Sequence, residues 1–255
     1  MANLDLIKRL NEQYGKTSPI RSATKLFSIN EAIDPNKLEK ALPNSLASMG
    51  PLYAGYFDFG LPANVSLLFI DVCSFSTRFI DLDGESIATF FDNYYDVVIP
   101  IIYKYGGEID KIIGDGIICI FGPPFLSDDT KANIKKANDC AKEIIEATEG
   151  KAYSSKVAFH SGTINYFKNK TGLYKEFTMI GKPLTEIFRL ESVSLDERVN
   201  YYDETPIRDF YKERIACCQS GNSSTIKAEW THWEHTLPNL KGVDFKRYYS
   251  IIHNK

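Results

Sequence analysis

At 255 residues, the chain can form one large domain or a domain with an extension, and 44% hydrophobic against 25% charged residues provide for a sizeable core. A net charge of −3 gives no electrostatic case for a nucleic-acid polymer or an anionic membrane as partner. No apolar stretch reaches the length of a bilayer span, and the opening MANLDLIKRLNEQ is charged where a signal peptide needs its apolar segment. The five cysteines (Cys73, Cys119, Cys140, Cys217, Cys218) have no metal-type spacing and read as reduced thiols of a cytoplasmic protein.

Residues 1–60 lack a strong strand pattern and form an expected N-terminal extension, partly helical, with Asp34 placed to cap a helix beginning at Pro35. GYFDFGLPAN marks the hinge into a compact unit, residues 61–255. VSLLFIDV, from Val65, is a near-continuous apolar run, as expected of a strand covered on both faces. Over residues 84–104, Ile87, Phe90, Phe91, Tyr94, Val98 and Ile101 recur at helical spacing, with Pro100 a weak point and Gly106-Gly107 a stop. EIDKIIG and IICIFG then predict two strands joined at Gly114-Asp115-Gly116, a tight hairpin. Residues 129–149 give a second helix, KVAFHSGTINYF a strand, EFTMIG another, Leu184–Ser192 a helix, and LKGVDFKRYYSII the C-terminal strands. Strand, helix, hairpin, helix, strand is a ferredoxin-like βαββαβ order, and the fold class is α+β.

Asp71 closes the first strand and Asp115 sits at the hairpin turn, so the topology allows the two carboxylates to converge. Carboxylates that close raise each other's pKa unless a positive charge intervenes. Hard divalent cations take one or two carboxylates together with substrate phosphates, and paired ions assist displacement at phosphorus. The small-residue loop Cys73–Ser76, including Phe75 and Ser76, offers backbone N–H groups to phosphates. A turn or capping role for each aspartate is the plainer alternative, weakened by their matching strand-end contexts.

LLFIDVCSFS, GGEIDKIIGDGIICIFG, FHSGTI, FTMIGKPLTEIFRLES and LKGVDFKRYYSI, in this order over roughly residues 64–252, resemble the successive motifs of class III nucleotidyl cyclases. The whole chain most resembles the small stand-alone cyclases of bacterial Pycsar anti-phage systems, which make cyclic pyrimidine mononucleotides. The resemblance implies two divalent metal ions, Mn2+ or Mg2+, held by Asp71, Asp115 and the Val72 carbonyl. It makes Phe69 the aromatic lining the base pocket, and Lys111 and Thr178 the base-selecting pair. Arg189 matches the arginine that stabilises charge developing on the α-phosphate, and Lys241 lies in the segment that supplies a triphosphate-binding lysine. Where the family usually has a ribose-orienting asparagine, this chain has Thr185, whose hydroxyl offers one donor rather than two. The resemblance further implies a homodimer with composite sites, the metal aspartates from one protomer and the base pair and arginine from the other.

Lys111 with Thr178 alone suits ATP, whereas the likeness to pyrimidine cyclases points to UTP, converted to cyclic UMP and pyrophosphate as an antiviral second messenger. A non-catalytic nucleotide sensor is the rival from another class, favoured only by Thr185. GGEID superficially matches the signature turn of diguanylate cyclases, but here the hairpin tip is Gly114-Asp115-Gly116. HWEH (His232–His235) lacks further zinc ligands and reads as a loop.

Overall fold

The computed structural model describes residues 13, 55–57, 60–78, 83–168, 177–220 and 230–253. The expected cap at Asp34, and nearly all of the N-terminal extension, lie outside the described residues. In chain order the elements are β1 (Pro62–Val72), α1 (Phe75–Arg78), α2 (Gly84–Lys104), β2 (Glu108–Ile113), β3 (Gly116–Phe121), α3 (Thr130–Thr148) and β4 (Ser155–Lys168). There follow β5 (Phe177–Ile180), α4 (Lys182–Glu191), β6 (Val199–Tyr202), α5 (Pro206–Ser220), β7 (Trp230–Thr236) and β8 (Arg247–His253). No helix among the described residues is long and apolar enough to cross a membrane.

One eight-stranded sheet runs β2-β3-β1-β4-β6-β8-β7, with β5 paired to the far part of β4. Its first four strands are the antiparallel ferredoxin-like core; the β4–β6 pair is parallel, so the whole sheet is mixed. This is the α+β arrangement the element order predicts, extended by four strands beyond the core.

Alternation along β1 divides the interior in two. Leu68, Ile70 and Val72 face α2, α3 and α5, where Tyr94, Val98, Ile102, Ala137, Ala141, Ile144 and Tyr211 close the larger core. Leu67 and Phe69 face the other way, under Leu184, Ile187 and Leu190 of α4. Each fully buried Leu, Ile or Val among these contributes roughly 1.5–3 kcal/mol. Helices α2 and α3 begin at side-chain caps: Asp83 accepts from the Ser86 amide at 2.8 Å and Asp129 from the Ala132 amide at 3.0 Å. Pro100 is tolerated because it and Asp96, whose carbonyl loses its helical donor, are both exposed.

Two expectations are corrected. LKGVDFKRYYSII is a strand only from Arg247; Leu240 and Val243 instead close a turn through a Val243 N–H to Leu240 carbonyl bond of 3.2 Å. HWEH is not a loop but the middle of β7, an edge strand paired with β8. Its polar residues suit a strand because each face gives them partners. His235 Nε2 lies 2.8 Å from Ser250 Oγ and Trp233 lies under the Arg198 guanidinium, while on the opposite face His232 Nδ1 lies 3.2 Å from the Tyr201 hydroxyl. Adjacent strand faces keep the two imidazoles apart, which excludes a shared metal.

Burial, and then Arg208 beside it, push the His232 pKa down to about 4. The unfolded chain therefore binds the proton more readily, and this histidine's contribution to stability, complete above about pH 6.5, is lost as the pH falls from there to about 4. Melting temperature is expected to drop over this interval, and His232→Phe should flatten the decline; an unchanged slope in the variant would refute the assignment.

Candidate active site

Asp71 is the last ventral-facing residue of β1, on the same side as Phe69 and paired across the ladder with Lys156 of β4. Asp115 is in the two-residue turn between Ile113 and Gly116, where Gly114 takes a φ of +59° that a side chain would strain. The Tyr95 hydroxyl donates to the Gly114 carbonyl at 3.0 Å and ties the turn to α2. The two aspartates converge electrostatically. Burial first, then the Asp115 carboxylate, push the Asp71 pKa up to about 7, with Lys156 opposing and Glu191 adding to the rise. Tyr94, fully buried beneath them, has its phenol pushed well above the ordinary value by burial and by the Asp71 charge.

Two cross-linking contacts frame this pair: Lys156 Nζ lies 3.3 Å from Asp71 Oδ2 and 2.8 Å from Glu191 Oε1. Neither Lys156 nor Glu191 is marked by the motifs. The available signal was a lone charge at the head of a buried strand, and an acid closing FRLES. Among the described residues no group of three or more His, Cys, Asp and Glu side chains forms a metal cage. The donor set is thus two carboxylates and nearby carbonyls, half-buried and all oxygen, which fits a hard cation that also coordinates a substrate.

Val72 is buried beside Asp71, with its partner Ser155 across the ladder. The Cys73 amide already donates to the Ser154 carbonyl at 2.8 Å, so it is not free for a phosphate. Phe75 turns its ring into an aromatic cluster with Phe90 and Phe91, at 5.6 and 5.2 Å between centroids, which anchors the loop. Ser76 lies in α1; its side chain is outside the described residues.

Lys111, Ile118 and Phe69 are successive partners across β2, β3 and β1 and share the face under α4. The Lys111 ammonium is 2.8 Å from Asp110 Oδ2, the residue inserted where the β2–β3 register shifts. Phe69 meets Phe188 of α4 edge-on at 5.2 Å, and Gly116 is required beneath it, since a Cβ there would come within 2.4 Å of Phe69 Cε2. Thr178 is in β5, its backbone paired with Phe167; its side chain is outside the described residues.

Thr185, Phe188 and Arg189 form the exposed side of α4. Lys241 is exposed in the turn beside them: a methyl on Gly242 would lie 3.9 Å from Thr185 Cγ2, and Lys182 reaches Asp244 at 2.5 Å. Glu191, two residues beyond Arg189, lies about 200° around the helix. Because Glu191 is the residue turned toward Lys156 and Asp71, the helix phase sets Arg189 on the opposite side of α4. The structure therefore brings together Asp71 with Asp115, Lys111 with Phe69, and Thr185 with the Lys241 turn, and sets Arg189 across α4 from Glu191.

No protein-family model matches the chain, and no curated protein matches it. Its fold is nevertheless that of nucleotidyl cyclase catalytic domains. The guanylate cyclase domain of RhGC from Catenaria anguillulae, in complex with GTP, superposes with a TM-score of 0.59 at 17% identity over 76% of this chain and 100% of that one. A dimeric guanylyl cyclase domain of the RhoGC fusion protein from Blastocladiella emersonii gives 0.57 at 15% identity, covering 76% and 99%. The adenylyl cyclase CyaB from P. aeruginosa gives 0.55 at 19%, covering 76% and 96%.

Proposed function

We propose that the chain is a class III nucleotidyl cyclase of the Pycsar type that converts UTP to 3',5'-cyclic UMP and pyrophosphate. Its residues 61–255 are the catalytic unit, and its product is a second messenger in bacterial antiviral defence. The observation that carries the cyclase reading is the placement of Asp71 at the end of β1 and of Asp115 in the turn entering its partner β3, on a fold shared with guanylyl and adenylyl cyclase domains.

Asp71, Asp115 and the Val72 carbonyl would hold two divalent ions, Mn2+ or Mg2+. Bound there, the ions supply charge that favours the ribose 3'-alkoxide and neutralises the triphosphate. Phe69 lines the base, with Lys111 and Thr178 reading its edge, and Thr185 orients the ribose. The start of α1 at Phe75 and Ser76 and the ammonium of Lys241 receive phosphate oxygens. The 3'-oxygen gives its proton to water as it attacks the α-phosphorus; the bond from that phosphorus to the bridging oxygen breaks, and pyrophosphate departs with the electron pair. Arg189 faces the charge that grows on the α-phosphate, which suits a guanidinium fork. Since Arg189 lies on the side of α4 opposite Glu191, it serves the aspartates of a second copy, and the working unit is a homodimer with two composite sites.

Uracil presents two carbonyl acceptors, whereas cytosine replaces one with an amino donor that Lys111 does not favour. A donor left unpaired in the pocket costs about 1–3 kcal/mol, so UTP is expected to react ahead of CTP and well ahead of purines. Purified protein given ATP, GTP, CTP and UTP separately, with chromatography of the products, tests this. Mainly cyclic AMP would restore an adenylate cyclase reading, and no product from any nucleotide with Mn2+ would leave a nucleotide sensor.

A further inference from the structure

Lys156 stands between two carboxylates. Its ammonium contacts Asp71 at 3.3 Å and Glu191 at 2.8 Å, and Asp115 sits in the turn that enters β3, the neighbour of β1 in the sheet. All three contacting side chains are largely screened from solvent, with exposures of 17%, 16% and 20% for Lys156, Asp71 and Glu191. We propose that Lys156 is the internal counter-cation of the Asp71–Asp115 pair, displaced toward Glu191 when a divalent ion enters. The inference rests on reading Asp71 and Asp115 as metal ligands.

The geometry suits an exchange rather than a fixed bridge. Asp71 and Lys156 are held opposite each other by the β1–β4 ladder, whereas Glu191 belongs to the last turn of α4. A lysine head on a flexible four-carbon stem keeps a full ion pair when it leaves the longer contact for the shorter one. Without an ion, Lys156 relieves the repulsion between the aspartates. With one, it opposes the incoming charge, so the site discriminates against bare metal and favours an ion that arrives with a triphosphate. Lys156 is thus a positioning residue that couples ion entry to substrate entry.

The test is Mn2+ binding to the full chain, read from the free-ion signal in electron paramagnetic resonance, with thermal unfolding in chelator and in Mn2+. Lys156→Met should bind Mn2+ about tenfold more tightly while melting lower than wild type in chelator, because an opposing unit charge is gone. Glu191→Gln should do the reverse, weakening Mn2+ several-fold, because it leaves Lys156 with Asp71 alone. General damage to the fold would move both variants the same way. Parallel weakening, or affinities unchanged in both, overturns the proposal while leaving the metal site intact. Asp71→Asn separates the two readings: if it binds Mn2+ as wild type does, or if neither wild type nor Lys156→Met binds any, the metal assignment itself fails and this inference with it.

Discussion

Asp71→Asn and Asp115→Asn proteins are expected to fold and to lose cyclisation by a factor on the order of 10² or more, about 2.7 kcal/mol of transition-state stabilisation at the least. Each change removes a charge that balances the ions, yet neither removes apolar packing, since both side chains sit at strand ends rather than in the core. The Asp71 change also removes a carboxyl that burial and Asp115 already disfavour as an anion, so the metal-free Asp71→Asn protein should melt no lower than wild type near neutral pH. Product formation measured beside a melting curve separates chemistry from folding. Turnover near the wild-type rate in either variant, with the fold intact, would remove these residues from the metal site.

A second large effect is expected from mixing two dead proteins. Asp71→Asn lacks the metal ligand and Arg189→Ala lacks the guanidinium, so each homodimer is inactive at both of its sites. After chain exchange, a mixed dimer carries both defects in one site and neither in the other. With equal amounts and free exchange, half of the dimers are mixed, and about a quarter of wild-type sites should be restored on simple counting, against a background lower by a factor on the order of 10². Heterodimers demonstrated by differential tags but still inactive would sink the composite site and would place Arg189 beside its own chain's aspartates.

The parts legible in the sequence were those with a strong local signal. The stripe through Phe90, Tyr94, Val98 and Ile101 gives α2 its limits, and an Asp-Gly step between apolar runs gives the β2–β3 hairpin. The segment after Ser192 was harder. VNYY in β6 is four residues long and buried throughout, so it shows no alternation. In β7 the alternation is between two kinds of partnered polar side chain, Tyr201 for His232 and Ser250 for His235, and hydropathy alone does not separate them. At the site, the motifs mark Asp71 and Asp115 because each sits at the tip of a strand. Lys156 and Glu191 are marked by nothing local; they matter through a ladder register and a helix phase that bring distant residues to one carboxylate. Asp110 likewise meets Lys111 only because an extra residue in β2 turns both to the same side.

On the proposed composite site, the phase of α4, with Arg189 and Glu191 on opposite sides of one turn, would make abundance itself an input. If each chain carries only half of any working site, a dilute population is silent whatever its substrate supply. Below the dissociation constant of the pair, output grows with the square of chain number, so doubling expression quadruples the signal. A cell that keeps such a chain scarce holds it off without an inhibitor, and any event that gathers copies together acts as its trigger.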